Sequence, residues 1–268
     1  MDVIGVVLGG GEGRRFGGDK LLALVDGYTS IERVANTLRA AGAHSVYVLT
    51  RSEYRCKLYV GLAGLDGCLY DQPGSCQGPG FALASLSRLD AKYILVAPGD
   101  APWLSPSIYE TLLGFLGTCD IAAPLHGNGF IETLVHVVRG SFAKEMRHIA
   151  ETICSLRGDV RPSDYIRFAS CSVLVGSSLL GVASPSLFAH INTKEALRTR
   201  MARNPLGDKV VIELRPKKQL IEMMNREKLC KHLLNEIMVY SRRSLTHLAR
   251  HAKRDYESLC TRRAKDSE

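Results

Sequence analysis

The chain has 268 residues, enough for one large α/β domain with an appendage. A hydrophobic content of 46% describes a globule with a real core, and the absence of any apolar run near the ~20 residues of a membrane helix excludes a spanning segment. The net charge of +8 is uneven: residues 205–268 hold 15 Lys+Arg against 9 Asp+Glu, a net of +6, and the rest of the chain contributes only +2.

Residues 2–8 predict a buried strand that ends abruptly in glycines. Residues 30–42 predict a helix, with Ser30 as N-cap and Gly42 just past its end. Short apolar strands follow at 46–50 and 68–70, the second ending at Asp71, then a helix over 81–89 and a strand over 93–97. Ser105 followed by Pro106 predicts a helix start, an N-cap before a proline at the first helical position, running to about Gly117. Residues 121–124 and 133–138 predict further strands. Strands and helices alternating at this spacing predict a mostly parallel sheet covered on both faces. In such sheets ligands bind beyond the carboxyl ends of the strands. The glycine run, Thr50 with Arg51, Asp71 and Asp100 all fall there.

The last quarter of the chain reads differently. Leu220, Ile221, Met224, Leu229, Leu233, Ile237 and Met238 recur close to helical periodicity, and a second helix over 243–263 is rich in Arg and Lys. Residues 203–208 form a boundary that divides the chain into a domain over 1–204 and a basic helical extension over 205–268. The extension predicts an amphipathic hairpin packed on the domain or on a second subunit. Its aromatics are limited to Tyr240 and Tyr256, which argues against base stacking and nucleic acid. The eight cysteines show no C-x-x-C spacing and no matching histidines, so they are expected as unpaired thiols in a reducing compartment. The N-terminus lacks a basic region followed by an apolar one, so no signal peptide is expected and the protein is placed in the cytoplasm.

The chemistry concentrates in Leu8-Gly9-Gly10-Gly11-Glu12-Gly13-Arg14-Arg15-Phe16-Gly17-Gly18-Asp19-Lys20. A strand running into a loop nearly free of side chains exposes backbone N–H groups to an anion. Arg14, Arg15 and Lys20 add positive charge at the same place. Two familiar phosphate loops fail. The P-loop requires Gly-Lys-Ser/Thr, whereas Asp19 separates Gly18 from Lys20 and Leu21 follows. The dinucleotide fingerprint requires glycine at its sixth position, where windows opening at Gly9 and Gly11 place Arg14 and Phe16. A second candidate is Asp100 in Val96-Ala97-Pro98-Gly99-Asp100-Ala101-Pro102, a carboxylate delivered by a hydrophobic strand to the sheet edge. It suits Mg²⁺, which prefers one or two carboxylates plus phosphate oxygens. Glu132 and His136 have no supporting motif and read as ordinary strand-flanking residues.

The glycine pattern closely resembles the signature of the nucleotidyltransferases that include molybdenum cofactor guanylyltransferase, whose pattern has Ala where Gly9 stands. The resemblance covers roughly residues 1–200. It implies a Rossmann-like (GT-A-like) three-layer nucleotidyltransferase fold over 1–204, plus the C-terminal helical extension. It further implies that Leu8, Gly9, Gly10, Gly11, Gly13, Arg15 and Lys20 bind the triphosphate, and that Asp100 binds Mg²⁺. Arg15, Lys20 and Asp100 are the catalytic set. Asp71, which precedes Pro73-Gly74 and Gly78-Pro79-Gly80, is similar to an aspartate that contacts the nucleotide. Asn192, in His190-Ile191-Asn192-Thr193-Lys194, is similar to the family's Asn-Thr-Pro element, with Lys194 where proline is usual. Thr50 stands where an asparagine for the base is common.

The implied reaction moves a nucleotide, GMP from GTP by preference, onto the phosphate of molybdopterin and releases pyrophosphate. A phosphomonoester is largely dianionic at neutral pH, with a second pKa of ~6, and needs no general base. Other phosphorylated acceptors (cobinamide phosphate, phospholactate, a sugar phosphate), CTP as donor, and a non-catalytic nucleotide- or partner-binding role remain as alternatives. The extension is expected to make a homodimer or to contact the enzyme that receives the cofactor.

Overall fold

All of β1 (Val3–Leu8) except its last residue is buried, and its side chains alternate between two cores. Ile4 and Val6 join one, and Val3 and Val7 join the other. That alternation makes β1 a central strand with a layer on each face. The structure, a computed structural model, describes residues 2–10, 15–71, 76–216 and 225–261. After β1 come the small hairpin of β2 (Leu24–Val25) and β3 (Tyr28–Thr29), then α1 (Ser30–Ala40), β4 (Ser45–Thr50), α2 (Glu53–Ala63), β5 (Gly67–Tyr70), α3 (Pro79–Ala82) and β6 (Tyr93–Pro98). They are followed by α4 (Pro106–Leu116), β7 (Ile121–Leu125), β8 (His136–Arg139), α5 (Gly140–Arg157), α6 (Pro162–Phe168) and β9 (Ser172–Gly176). Last come α7 (Lys194–Thr199), β10 (Val211–Leu214), α8 (Arg226–Arg242) and α9 (Thr246–Cys260).

The main sheet runs β10-β9-β7-β8-β6-β1-β4-β5. Only β8 and β10 run antiparallel to their neighbours. One core packs α1, α2 and α4 on the sheet, and the other packs α5, α6 and the C-terminal hairpin. The result is the three-layer, mostly parallel fold that the alternating elements predict. Helix α1 carries a full capping box, Thr29 and Glu32 each bonding the other's backbone N–H. The helix expected over 81–89 is instead the short α3 followed by 3-10 turns over 83–88. Leu83, Ala84, Ser85 and Leu86 are buried in succession, which a helix with one solvent face cannot arrange. Helix α2 has no apolar stripe to announce it: Tyr54 and Leu62 are exposed, and only Tyr59 and Ala63 are buried. Its anchors are the Ser52 cap and a sulfur bridge from Cys56 to β5.

The cysteine expectation is corrected. All eight pair: Cys56 with Cys68, Cys76 with Cys154, Cys119 with Cys171, and Cys230 with Cys260. The partners lie 12, 78, 52 and 30 residues apart and meet only through packing of separate elements, so local spacing holds no record of them. Among the described residues one grouping of ligand-type atoms is tight enough for a metal, Cys119, Cys171 and Glu213, and its two sulfurs are already joined.

Strand β10 lies beyond residue 205 yet is the eighth strand of the sheet. The α8–α9 hairpin also commits its apolar face to the chain's own core through Tyr240, Leu245, Leu248 and Ala252. Beside this contact lies a buried ionic network. Arg167 bonds Glu236 of α8 at 2.7 Å and Asp255 of α9 at 2.6 Å, and also Asp164 at 3.2 Å. Arg157 and Arg161 add bonds to Asp255, each at 2.9 Å. Each partner supplies a charge the others would otherwise leave stranded, which fixes the hairpin's register on α6. No helix among the described residues is long and apolar enough to cross a membrane.

Candidate active site

The carboxyl ends of β1 and β6 lie side by side, with Leu8 in register with Pro98. β1 runs into the glycine loop and β6 into Gly99-Asp100. The Gly9 N–H is spent on the Leu49 carbonyl of β4 at 2.8 Å, so it is not available to an anion. A Cβ on Gly9 would stand 2.5 Å from Val48 Cγ2, which explains glycine where the resemblance leads one to expect alanine. Gly11, Gly13 and Arg14 lie outside the described residues, and Arg15 is exposed at the loop's return. Asp19 caps the turn that follows, accepting from the Leu21 N–H at 3.1 Å and from the Tyr59 hydroxyl of α2. That cap aims Lys20 across the loop.

The Lys20 ammonium pairs with Asp100 Oδ2 and lies 3.2 Å from Asn192 Oδ1. The other Asp100 oxygen meets His190 Nδ1 at 3.0 Å. The segment that brings His190 and Asn192 here is tied to the Asp100 backbone, the Ile191 N–H donating to its carbonyl at 2.8 Å. Burial alone would raise the Asp100 carboxyl. The hydrogen bond and charge of His190, with Lys20 beside them, outweigh it and hold the group down at about 2. Burial works against a charged His190, but its bond to Asp100 and the nearby Glu132 leave its pKa raised. The site is therefore a buried carboxylate held ionised between the Lys20 ammonium and the His190 imidazole. Lys20 already stands where two hard oxygen donors, Asp100 Oδ2 and Asn192 Oδ1, converge on positive charge. That donor set fits a divalent metal with a phosphate ligand.

Next to His190 opens a cavity of about 210 Å³, lined among others by Phe130, Glu132, Phe188, Asn192 and Arg203. Glu132 lies between two imidazoles, 3.9 Å from His190 Nε2 and 3.8 Å from His126 Nε2.

A family model described as MobA-like NTP transferase domain matches residues 5–167. The chain belongs to this family. Among MobA-like relatives it is 29% identical over 203 residues to a protein of Haloferax mediterranei named probable molybdenum cofactor guanylyltransferase, covering 74% of this chain and 93% of that one. It is 33% identical over 117 residues to the molybdenum cofactor guanylyltransferase of Desulfosudis oleivorans, covering 42% of this chain and 54% of that one. Among solved structures, the molybdopterin-guanine dinucleotide biosynthesis protein A of Archaeoglobus fulgidus superposes with a TM-score of 0.56 at 22% identity, over 74% of this chain and 96% of that one. That last likeness bears on the fold alone.

Within this MobA-like frame the predicted residues fall into two groups. Leu8, Gly9, Gly10, Lys20, Asp100 and Asn192 come together around β1 and β6. Thr50 and Asp71 stand at the ends of β4 and β5, their backbones joined at 3.2 Å. Thr50 is buried and its hydroxyl accepts from the Ser52 N–H at 3.3 Å, so it caps its own turn. The Asp71 carboxylate pairs with Arg51, and its Oδ1 is buried without a partner among the described residues. His190 and Glu132 also face the site. Histidine two residues before Asn192 was the available signal. Glu132 had none, because the His190 that links it to Asp100 comes from a distant segment. His136 is what it was taken for, a buried strand residue bonded to the Thr133 carbonyl at 2.9 Å.

Proposed function

We propose that this nucleotidyltransferase moves GMP from GTP onto the phosphate of molybdopterin. The observation that carries the reading is the Lys20–Asp100–His190–Asn192 constellation beside the glycine loop, in a MobA-like chain whose relatives are named for that reaction. An acceptor phosphate oxygen attacks the α-phosphorus, the bond from that phosphorus to the bridging oxygen breaks, and pyrophosphate leaves with the electron pair. The nucleophile is already an anion, so no residue has to take its proton. What the protein supplies is position and countercharge. The amides from Gly10 onward, with Arg15, receive the triphosphate. Lys20 leaves Asp100 for the phosphates as they arrive. Asp100 and Asn192 would hold Mg²⁺, which supplies the remaining neutralisation of phosphate charge. The reading places the reaction in the cytoplasm, where four disulfides persist in organisms that keep intracellular thiols oxidised.

The test is pyrophosphate release with Mg²⁺, screening GTP, CTP, ATP and UTP against molybdopterin and a small set of phosphorylated acceptors. Release with GTP and molybdopterin is expected. Release only with another pair would keep the chemistry and replace the substrates. No release with any pair, from protein shown to bind a triphosphate, would overturn the catalytic reading in favour of a sensor.

A further inference from the structure

The cavity beside His190 holds a carboxylate that no described residue hydrogen-bonds. Glu132 is buried, and the imidazole nitrogens of His126 and His190, at 3.8 and 3.9 Å, lie within ion-pair range but beyond hydrogen-bond distance. No N–H or O–H among the described residues bonds its side chain. Phe130 and Phe188 stand on the same cavity, and His126, wholly buried with neither ring nitrogen hydrogen-bonded, packs edge-on against Phe188 at 4.9 Å. Arg203 lines the cavity with no ion-pair partner among the described residues. A carboxylate that opens on an aromatic-walled cavity with no protein donor bonded to it is free to pair with the donors a ligand brings. The ligand that fits is flat, to lie against the phenyl rings, and carries two adjacent N–H groups on one edge, to pair both carboxylate oxygens.

We infer that Glu132 reads the 2-amino-4-oxo edge of the acceptor's pterin ring. The inference rests on the proposed transfer to molybdopterin and names the residue that selects it. Guanine presents the same edge, and strand order decides between the two. Glu132 sits between β7 and β8, across β6 from the glycine loop on β1, whereas Thr50 and Asp71 end β4 and β5 on the loop's other side. The triphosphate loop thus lies between two flanks, and Glu132 is on the flank away from β4 and β5. One imidazole, His190, separates the Glu132 carboxylate from Asp100. A ring held at Glu132 therefore directs its side arm, and the phosphate on it, toward the reacting centre.

The experiment measures binding of 6-hydroxymethylpterin to the full chain by its fluorescence, against the 2-oxo analogue 6-hydroxymethyllumazine, which lacks the amino group. Wild type is expected to prefer the pterin by ~10–100-fold, the range for hydrogen bonds to a charged group. Glu132→Gln is expected to lose that preference and to raise KM for molybdopterin by a similar factor, with the Kd for GTP unchanged. Phe130→Leu serves as a second variant and is expected to weaken both ring ligands equally. Undiminished pterin preference in Glu132→Gln overturns the inference, as does a wild type that binds neither ring. A weakened GTP affinity in place of the acceptor effect would assign the edge to guanine and also overturn it. None of these results touches the proposed reaction, which stands or falls on pyrophosphate release by the wild type.

Discussion

The two flanks of the site are built in opposite ways. On the β1 side the residues proposed to bind phosphate fall almost contiguously in the sequence between Leu8 and Lys20, and one strand end adds Asp100. On the β8 side the cavity is assembled from Phe130 and Glu132, from Phe188, His190 and Asn192, and from residues 201–204, with His247 of α9 stacked on Phe130. Phosphate needs amides and point charges, which a short loop can present by itself. A flat ring needs walls facing one another, and facing walls come from distant segments. The first kind of site survives as a motif, and the second exists only as tertiary structure.

Four perturbations would break or sharpen this contrast. The largest effect is expected far from the loop. Arg167→Ala strands Glu236, Asp164 and Asp255 in the interior and should cost about 3–5 kcal/mol of stability, read as a Tm drop on the order of 10 °C. An unchanged Tm would show that the hairpin is not held by this network. Next, Lys20→Ala and Asp100→Ala should each lower kcat/KM by at least ~100-fold while folding survives. Near-wild-type activity in folded Asp100→Ala would remove Asp100 from the chemistry.

Acid should act on the packed side. Burial lowers the pKa of His136, and of His247 in α9, to about 4 in each case. The unfolded chain binds these protons below about 6.5, so stability is whole above that pH and is lost as pH falls toward 4. For fully buried His136 the loss is on the order of 3 kcal/mol. Thermal melts from pH 7 to 4 should show it, and His136→Gln should flatten the slope. A level Tm across that window in the wild type would contradict the assignment. The smallest effect is expected at His247 itself, whose ring stacks on Phe130 with centroids 4.4 Å apart and accepts the Ile131 N–H at 3.3 Å. His247→Ala should raise KM for the acceptor by a factor of ~5–10 with kcat and the GTP KM unchanged, and His247→Phe, which keeps the stack, should recover part of it. Equal changes in both KM values would mean a general loss of structure.

The same contrast governs what could be read from the sequence. The sheet's parallel core was legible because each strand is short, apolar and ends at a charged or glycine residue. Lys20 and Asp100 were legible because the chain itself carries them to adjacent strand ends. Helix α2 was not, since a bridge from Cys56 to Cys68 does the work an apolar stripe would have announced. The cysteine pairs, the Arg167 network and Glu132 were hidden for one reason: each depends on partners that meet only after the layers have stacked. The domain's later half, from α5 through β10, carries no sequence signal comparable to the glycine loop.

Gly129 has a consequence for the order in which this protein becomes active. It holds a positive φ of 74°, and a Cβ there would sit 2.1 Å from the Ser244 carbonyl. The loop bearing Phe130 and Glu132 is therefore shaped against the turn between the last two helices. During synthesis the strands that carry the glycine loop, Lys20 and Asp100 emerge early and close together in sequence, well before α9. The cavity wall that carries Phe130 and Glu132 must wait until α9 has emerged and folded back. On the proposed reading, a ribosome-bound nascent chain that lacks α9 should bind GTP before it can bind the acceptor.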